Sequence, residues 1–204
     1  SGGVISNPET KDKIGRMFPP MQPKVSFLDP TETYSVSKYQ TACGSSDILS
    51  HLLEIYFVPE GGSMYMLDCF MEGMMKTIIK YAPIAMKEPE NYGARANLMW
   101  CGNIAHNGTC GVGCEEDWAS HFLEHEISAI YNVTHGAGLS VVFPAWMTWM
   151  TEHNVDKIAQ YAVRVWNVSE ADDKKAVALE GIARLKSFFK SIGLPVTFSE
   201  LGIE

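Results

Sequence analysis

The chain is 204 residues long and 46% hydrophobic, enough for one cored globule and unlike disordered or fibrous chains. Its formal net charge is -8, and its basic residues fall only in short clusters such as Lys11 to Arg16 and Lys174-Lys175, so nucleic acid is excluded as a partner. No run reaches the ~18 consecutive apolar residues of a membrane span, and five cysteines without a CxxC pair read as reduced thiols of a cytoplasmic protein.

In chain order, Val4-Ile5-Ser6 and Lys24-Val25-Ser26-Phe27-Leu28 are short β-type runs, separated by Asn7-Pro8, Pro19-Pro20 and Pro23. Asp29-Pro30-Thr31 then reads as a turn and helix start, which divides the chain into a β segment, 1–30, and a helical segment, 31–204. Apolar spacing of three and four predicts helices at roughly 47–57, 64–86, 90–107, 115–132, 138–150, 155–166 and 172–191. Gly61-Gly62-Ser63, Gly108 to Gly113 and Gly193-Leu194-Pro195 break them as loops. The last helix places Ala176, Leu179, Ile182, Leu185 and Phe188 on one face, a core stripe, and the methionines Met64, Met66, Met71, Met74, Met75, Met86, Met99, Met147 and Met150 read as core packing. The fold class is mainly α, a helical bundle preceded by a short β element.

The chemistry concentrates on histidines. Asp47 and His51 stand four apart, which stacks both on one helix face, and His121 and His125 repeat the spacing on a segment whose Trp118, Phe122, Ile127 and Ile130 predict a well-buried amphipathic helix. His135 precedes Gly136-Ala137-Gly138, between two helices. Each histidine alone reads as a structural residue, but an unpaired ring inside an apolar segment costs roughly 1–3 kcal/mol, and one shared cation offsets that cost for several at once. His106 and His153 lack such a context and read as surface residues. A second pattern overlaps the first: His121-Phe122-Leu123-Glu124-His125 spells H-x-x-E-H, the inverted zinc-peptidase motif, which needs a distant third ligand such as Glu180 or Glu200. A third reading is a non-enzymatic helical module with structural histidines.

Longer stretches resemble the group III, iron-containing alcohol dehydrogenases, in particular the butanol dehydrogenase-like branch. They are Gly44-Ser45-Ser46-Asp47 through His51, Tyr92-Gly93-Ala94-Arg95 through Trp100, Trp118-Ala119-Ser120-His121 through Ala129, His135-Gly136-Ala137-Gly138-Leu139, Phe143-Pro144-Ala145-Trp146-Met147 and Gly193-Leu194-Pro195. The resemblance implies metal ligands at Asp47, His51, His121 and His135, a proton-relay histidine at His125, and a lysine near the cofactor's nicotinamide ribose at Lys13, with Glu124 tilting outward. It implies Fe(II) or Zn(II), and hydride exchange between NAD(H) or NADP(H) and a primary alcohol such as butanol, or the aldehyde, in a homodimer. That family carries a glycine-rich dinucleotide loop in an α/β domain, and no such turn occurs here. Residues 1–30 are therefore expected to be a remnant of that domain, residues 31–204 to be the metal-binding domain, and the chain by itself to be an inactive fragment.

Overall fold

A computed structural model describes residues 2–17, 20, 22–58 and 64–204, so Pro19 and the Gly61-Gly62-Ser63 loop lie outside the described residues. β1 (Gly2–Asn7) and β2 (Asp12–Met17) form an antiparallel hairpin in which Val4 pairs with Gly15 and Ile5 with Ile14. Lys11 turns the chain in the left-handed region, at φ 61°. The expected strand at residues 24–28 is not one: the segment has no ladder and Phe27 is 93% exposed. A β-type run forms a strand only where its amides find a partner edge, and β1 pairs with β2 instead.

Asp29 opens a short 3-10 turn (Pro30–Thr33) by accepting from the Thr31 amide at 2.9 Å. Eight helices follow among the described residues: α1 (Lys38–Tyr56), α2 (Tyr65–Lys87), α3 (Tyr92–His106), α4 (Ala119–Tyr131), α5 (His135–Met150), α6 (Val155–Trp166), α7 (Lys174–Ser191) and the one-turn α8 (Phe198–Leu201). The mainly helical expectation holds. α1 starts well before residue 47 because the Ser37 hydroxyl caps it, accepting from the Gln40 amide at 3.2 Å. α4 and α6 end on Asn132 and Asn167 at φ 53° and 56°, the left-handed stop that asparagine tolerates.

The core is built on α1, α2 and α5, with Leu49, Leu52, Met75, Ile78, Phe143 and Met147 fully buried. Met71, Met74 and Met150 are buried as expected, whereas Met66 is exposed. On α7 the buried stripe is Val177, Ala178, Gly181, Ile182, Leu185, Phe188 and Phe189. Ala176 and Leu179 of the expected stripe are exposed, because the helix turns its Gly181 side onto α6, where an added Cβ would stand 2.4 Å from the Ala162 Cβ.

Two features of the packing position the site. At Gly136 an added Cβ would lie 2.1 Å from the Cys43 carbonyl oxygen, so only glycine lets the first turn of α5 rest on α1, one turn from Asp47. α4 reverses the burial its sequence suggests. Phe122 and Ile130 are more than half exposed, while Ser120, His121, Glu124 and His125 form its buried face. The apolar spacing marks the outer side of α4, because its inner side is polar and faces other polar groups rather than the core.

Candidate metal centre

Three helices converge on one carboxylate. Asp47 Oδ1 lies 3.7 Å from His51 Nε2, one turn further along α1, 3.6 Å from His121 Nε2 on α4, and 3.4 Å from His135 Nε2 at the first residue of α5. All four residues singled out as ligands are therefore brought together. Asp47 Oδ1 and His121 Nε2 are shielded from solvent and have no hydrogen-bond partner among the described residues. The opposite nitrogens are committed elsewhere: His121 Nδ1 donates to Glu54 Oε1 at 2.9 Å, and His135 Nδ1 donates to Glu124 Oε2.

With those protons on Nδ1, the neutral rings turn their Nε2 lone pairs toward a carboxylate oxygen, acceptors against an acceptor, which is costly where water is excluded unless a second proton or a cation stands between them. A divalent cation among them would satisfy Asp47 Oδ1 and the Nε2 atoms that face it. Two donors ~2.1 Å from one tetrahedral ion stand roughly 3.4 Å apart, and two imidazoles on it at right angles or wider keep their ring centres roughly 4.5 Å apart or more. The oxygen–nitrogen distances match the first figure. The ring separations of 4.5 Å for His51 and His121 and 5.4 Å for His121 and His135 match the second.

The electrostatics agree with a place for positive charge. Burial works against the ionised Asp47 carboxylate, yet the facing imidazoles His106, His121 and His135, with His51, hold it well below the usual range. Burial works against a charged His135 too, but Asp47 and Glu124 outweigh it and raise its pKa to about 9, so a proton on this ring takes the place of a cation. His121 is raised in the same way by Asp47 and Glu54 against burial. His51 has no second carboxylate, and burial takes it down to about 3 despite Asp47.

Two glutamates complete the centre, Glu54, which the sequence reading left aside, and Glu124, which it turned outward. Glu54 is fully buried and its Oε1 accepts from both the backbone amide (3.0 Å) and Nδ1 (2.9 Å) of His121. It thereby caps α4, whose own N-cap Trp118 offers no side-chain bond, and sets the rotation that aims His121 at Asp47. The signal in the sequence is a carboxylate two turns from Asp47 inside the apolar run Leu52-Leu53-Glu54-Ile55.

Glu124 does not tilt outward as expected; it is fully buried, in a niche that exists because Gly138 has no Cβ, and its Oε2 serves both His135 and Lys13. Lys13 of β2 stands with Nζ 3.3 Å from that oxygen and 2.7 Å from Ser128 Oγ. The ligating atoms of Glu124, His125 and His135 lie close enough together to hold an ion, but the Lys13 ammonium already stands against Glu124 and His135. His125 lies beside this pair, its ring centre 5.3 Å from that of His135, and burial with the nearby Lys13 charge takes its pKa down to about 4.

Two further expectations change. His106 is 40% exposed but is no bystander: its ring centre lies 3.7 Å from that of His51 and its Nε2 3.8 Å from Asp47 Oδ2. His153 stays outside the site, stacked on Trp149. The peptidase reading fails on geometry, since His121 Nε2 faces Asp47 Oδ1 at 3.6 Å beside His51, and Glu124 is engaged by His135 and Lys13 rather than free for water. Its distant ligands are surface ion pairs, Glu180 with Arg184 at 2.8 Å and Glu200 with Lys190 at 3.0 Å.

Comparison with known proteins bears on the same residues. The model of the Fe-containing alcohol dehydrogenase family, C-terminal, matches residues 41–204. NADH-dependent butanol dehydrogenase A of Clostridium acetobutylicum is 42% identical over 98% of the chain and 51% of its own length. NADPH-dependent aldehyde reductase YqhD of Escherichia coli is 38% identical over 100% of the chain and 52% of its own length. The crystal structure of NADH-dependent butanol dehydrogenase A from Thermotoga maritima superposes with a TM-score of 0.93 at 38% identity, over 100% of this chain and 50% of that one. The chain spans about half the length of these relatives. It belongs to the Fe-containing alcohol dehydrogenase family.

Proposed function

We propose that this chain is the metal-binding half of an NAD(P)-dependent oxidoreductase that interconverts primary alcohols such as butanol with their aldehydes, and that Asp47, His51, His121 and His135 hold its ion. The observation that carries the reading is the convergence of three Nε2 atoms on Asp47 Oδ1 at 3.4 to 3.7 Å, with that oxygen left without a hydrogen bond. Three imidazoles and one carboxylate suit Fe(II) or Zn(II), and availability decides between them. When bound, the ion supplies a Lewis acid that favours the deprotonated substrate oxygen.

The other residues handle protons and position. His125, with its pKa near 4, is neutral at pH 7 and accepts the proton of the alcohol hydroxyl at a ring nitrogen, or returns it in the reverse direction. Lys13, held by Glu124 and Ser128, presents a fixed positive charge beside the site, where it serves the ribose of NAD(H) or NADP(H). The cofactor itself is bound by an α/β nucleotide-binding half, in keeping with relatives of twice this length. Residues 1–30 belong with that half and 31–204 form the metal-binding domain of a cytoplasmic homodimer. No described helix is long and apolar enough to cross a membrane.

Elemental analysis of the chain after reconstitution with Fe(II) or Zn(II) tests the reading, together with NAD(P)H oxidation in the presence of butanal. The expected result is one tightly held ion per chain and no turnover. Failure to retain an ion would remove the proposed chemistry, and turnover by the isolated chain would show that no second half is needed.

A further inference from the structure

The two oxygens of Asp47 face different neighbours. Oδ1 points to the buried side and meets His51, His121 and His135, whereas Oδ2 lies 3.8 Å from Nε2 of His106, the last residue of α3. His106 Nδ1 donates to the Gly102 carbonyl at 2.7 Å, which leaves the neutral ring's lone pair on Nε2, facing Oδ2. Nε2 has no protein partner within 3.5 Å among the described residues, and on a side chain 40% exposed it is open to solvent, with its lone pair turned toward a carboxylate oxygen 3.8 Å away.

His106 is badly placed to join the inner ion. Its ring centre is 3.7 Å from that of His51, well inside the roughly 4.5 Å that two imidazoles on one ion keep. Side-chain exposure is 40% at His106, 29% at His135, 27% at Asp47, 16% at His51 and 6% at His121, so the cluster has two solvent-facing edges, one at His106 and one at His135. An ion approaching on the α3 side meets His106 and Asp47 Oδ2 before His51 and His121.

We propose that Asp47 Oδ2 and His106 Nε2 form a second, outer station for a divalent transition cation, bridged to the inner centre by the Asp47 carboxylate. With two protein donors and the rest of its shell water, this station binds weakly and feeds ions inward. The inference rests on the inner ligand set proposed above but is tested separately from it.

Equilibrium dialysis of the chain against Zn(II) is expected to show one tight and one weaker class of site. His106→Ala should weaken the second class about tenfold or more, leave the first unchanged, and slow uptake from a chromophoric zinc chelator. His153→Ala serves as the surface-histidine control and should change nothing. A wild-type chain with the tight class only overturns the proposal, as does a weak class that survives His106→Ala. Loss of the tight class on His106→Ala overturns it in favour of an inner role for His106. If the wild-type chain has no tight class at all, the inner reading fails, and the outer station is judged by the response of the weak class alone.

Discussion

Glu54 and His121 are joined twice, since a single carboxylate oxygen takes both the backbone amide and the ring Nδ1–H of the histidine, at 3.0 and 2.9 Å. The bond fixes the tautomer of His121 and the start of α4 together. Replacing Glu54 by Ala should lower Zn(II) affinity by about 10- to 100-fold and, with two donors left unpaired, cost roughly 1–3 kcal/mol of stability in the metal-free chain. Chelator competition and thermal melts in EDTA measure the two effects. Unchanged affinity would show that His121 does not depend on this carboxylate.

Gly138→Ala probes the second carboxylate. The added Cβ would stand 2.5 Å from Glu124 Oε1, so the glutamate must leave its niche and release both His135 and Lys13. Metal affinity should fall about tenfold or more, and Glu124→Gln, which keeps the volume but not the charge, should fall in the same direction. If Gly138→Ala binds Zn(II) like the wild type, Glu124 does not support His135.

Proton release reports on His135. Its pKa in the metal-free chain is raised to about 9, so at pH 7 the ring is charged and a cation must displace its proton. Affinity should therefore rise with pH up to about 9 and flatten above it, and calorimetry in buffers of different ionisation enthalpy should show about one proton released per ion near neutral pH. His135→Ala should lower that release, leaving the part that comes from His121. A release unaffected by this substitution would place the displaced proton on another group.

A pair of glycine substitutions separates space from propensity. Gly136→Ala drives a methyl group into the Cys43 carbonyl and should destabilise by about 2–3 kcal/mol while moving His135 away from Asp47. Gly73, on the exposed side of α2 with nothing near its missing Cβ, should gain about 0.5–1 kcal/mol on replacement by Ala. Denaturant melts decide both. Equal effects would mean that α1 and α5 tolerate separation at their crossing.

The histidine and aspartate spacing was legible because a four-residue interval on a helix has one geometric meaning, and Asp47 with His51 realises it. The burial of α4 was not. Phe122, Ile127 and Ile130 suggest an inward apolar face, but the inner face carries His121, Glu124 and His125. Hydrophobic patterning assumes that polar groups seek water, and it fails where polar groups are buried against one another. For the same reason the role of Glu54 and the inward turn of Glu124 escape pattern reading, since their partners lie 67 and 11 residues away in the chain. His106 escapes because its exposure hides its contact with Asp47. At the N-terminus the partner of Val4-Ile5-Ser6 is Asp12–Met17, reached through the turn at Lys11, and no apolar run marks that strand in the sequence.

The most direct test of the centre is an anomalous difference map at the zinc edge from crystals of the Zn(II)-reconstituted chain. The strongest peak should lie among Asp47 Oδ1 and the Nε2 atoms of His51, His121 and His135. A strongest peak among Glu124, His125 and His135, or none in this region, would contradict the assignment.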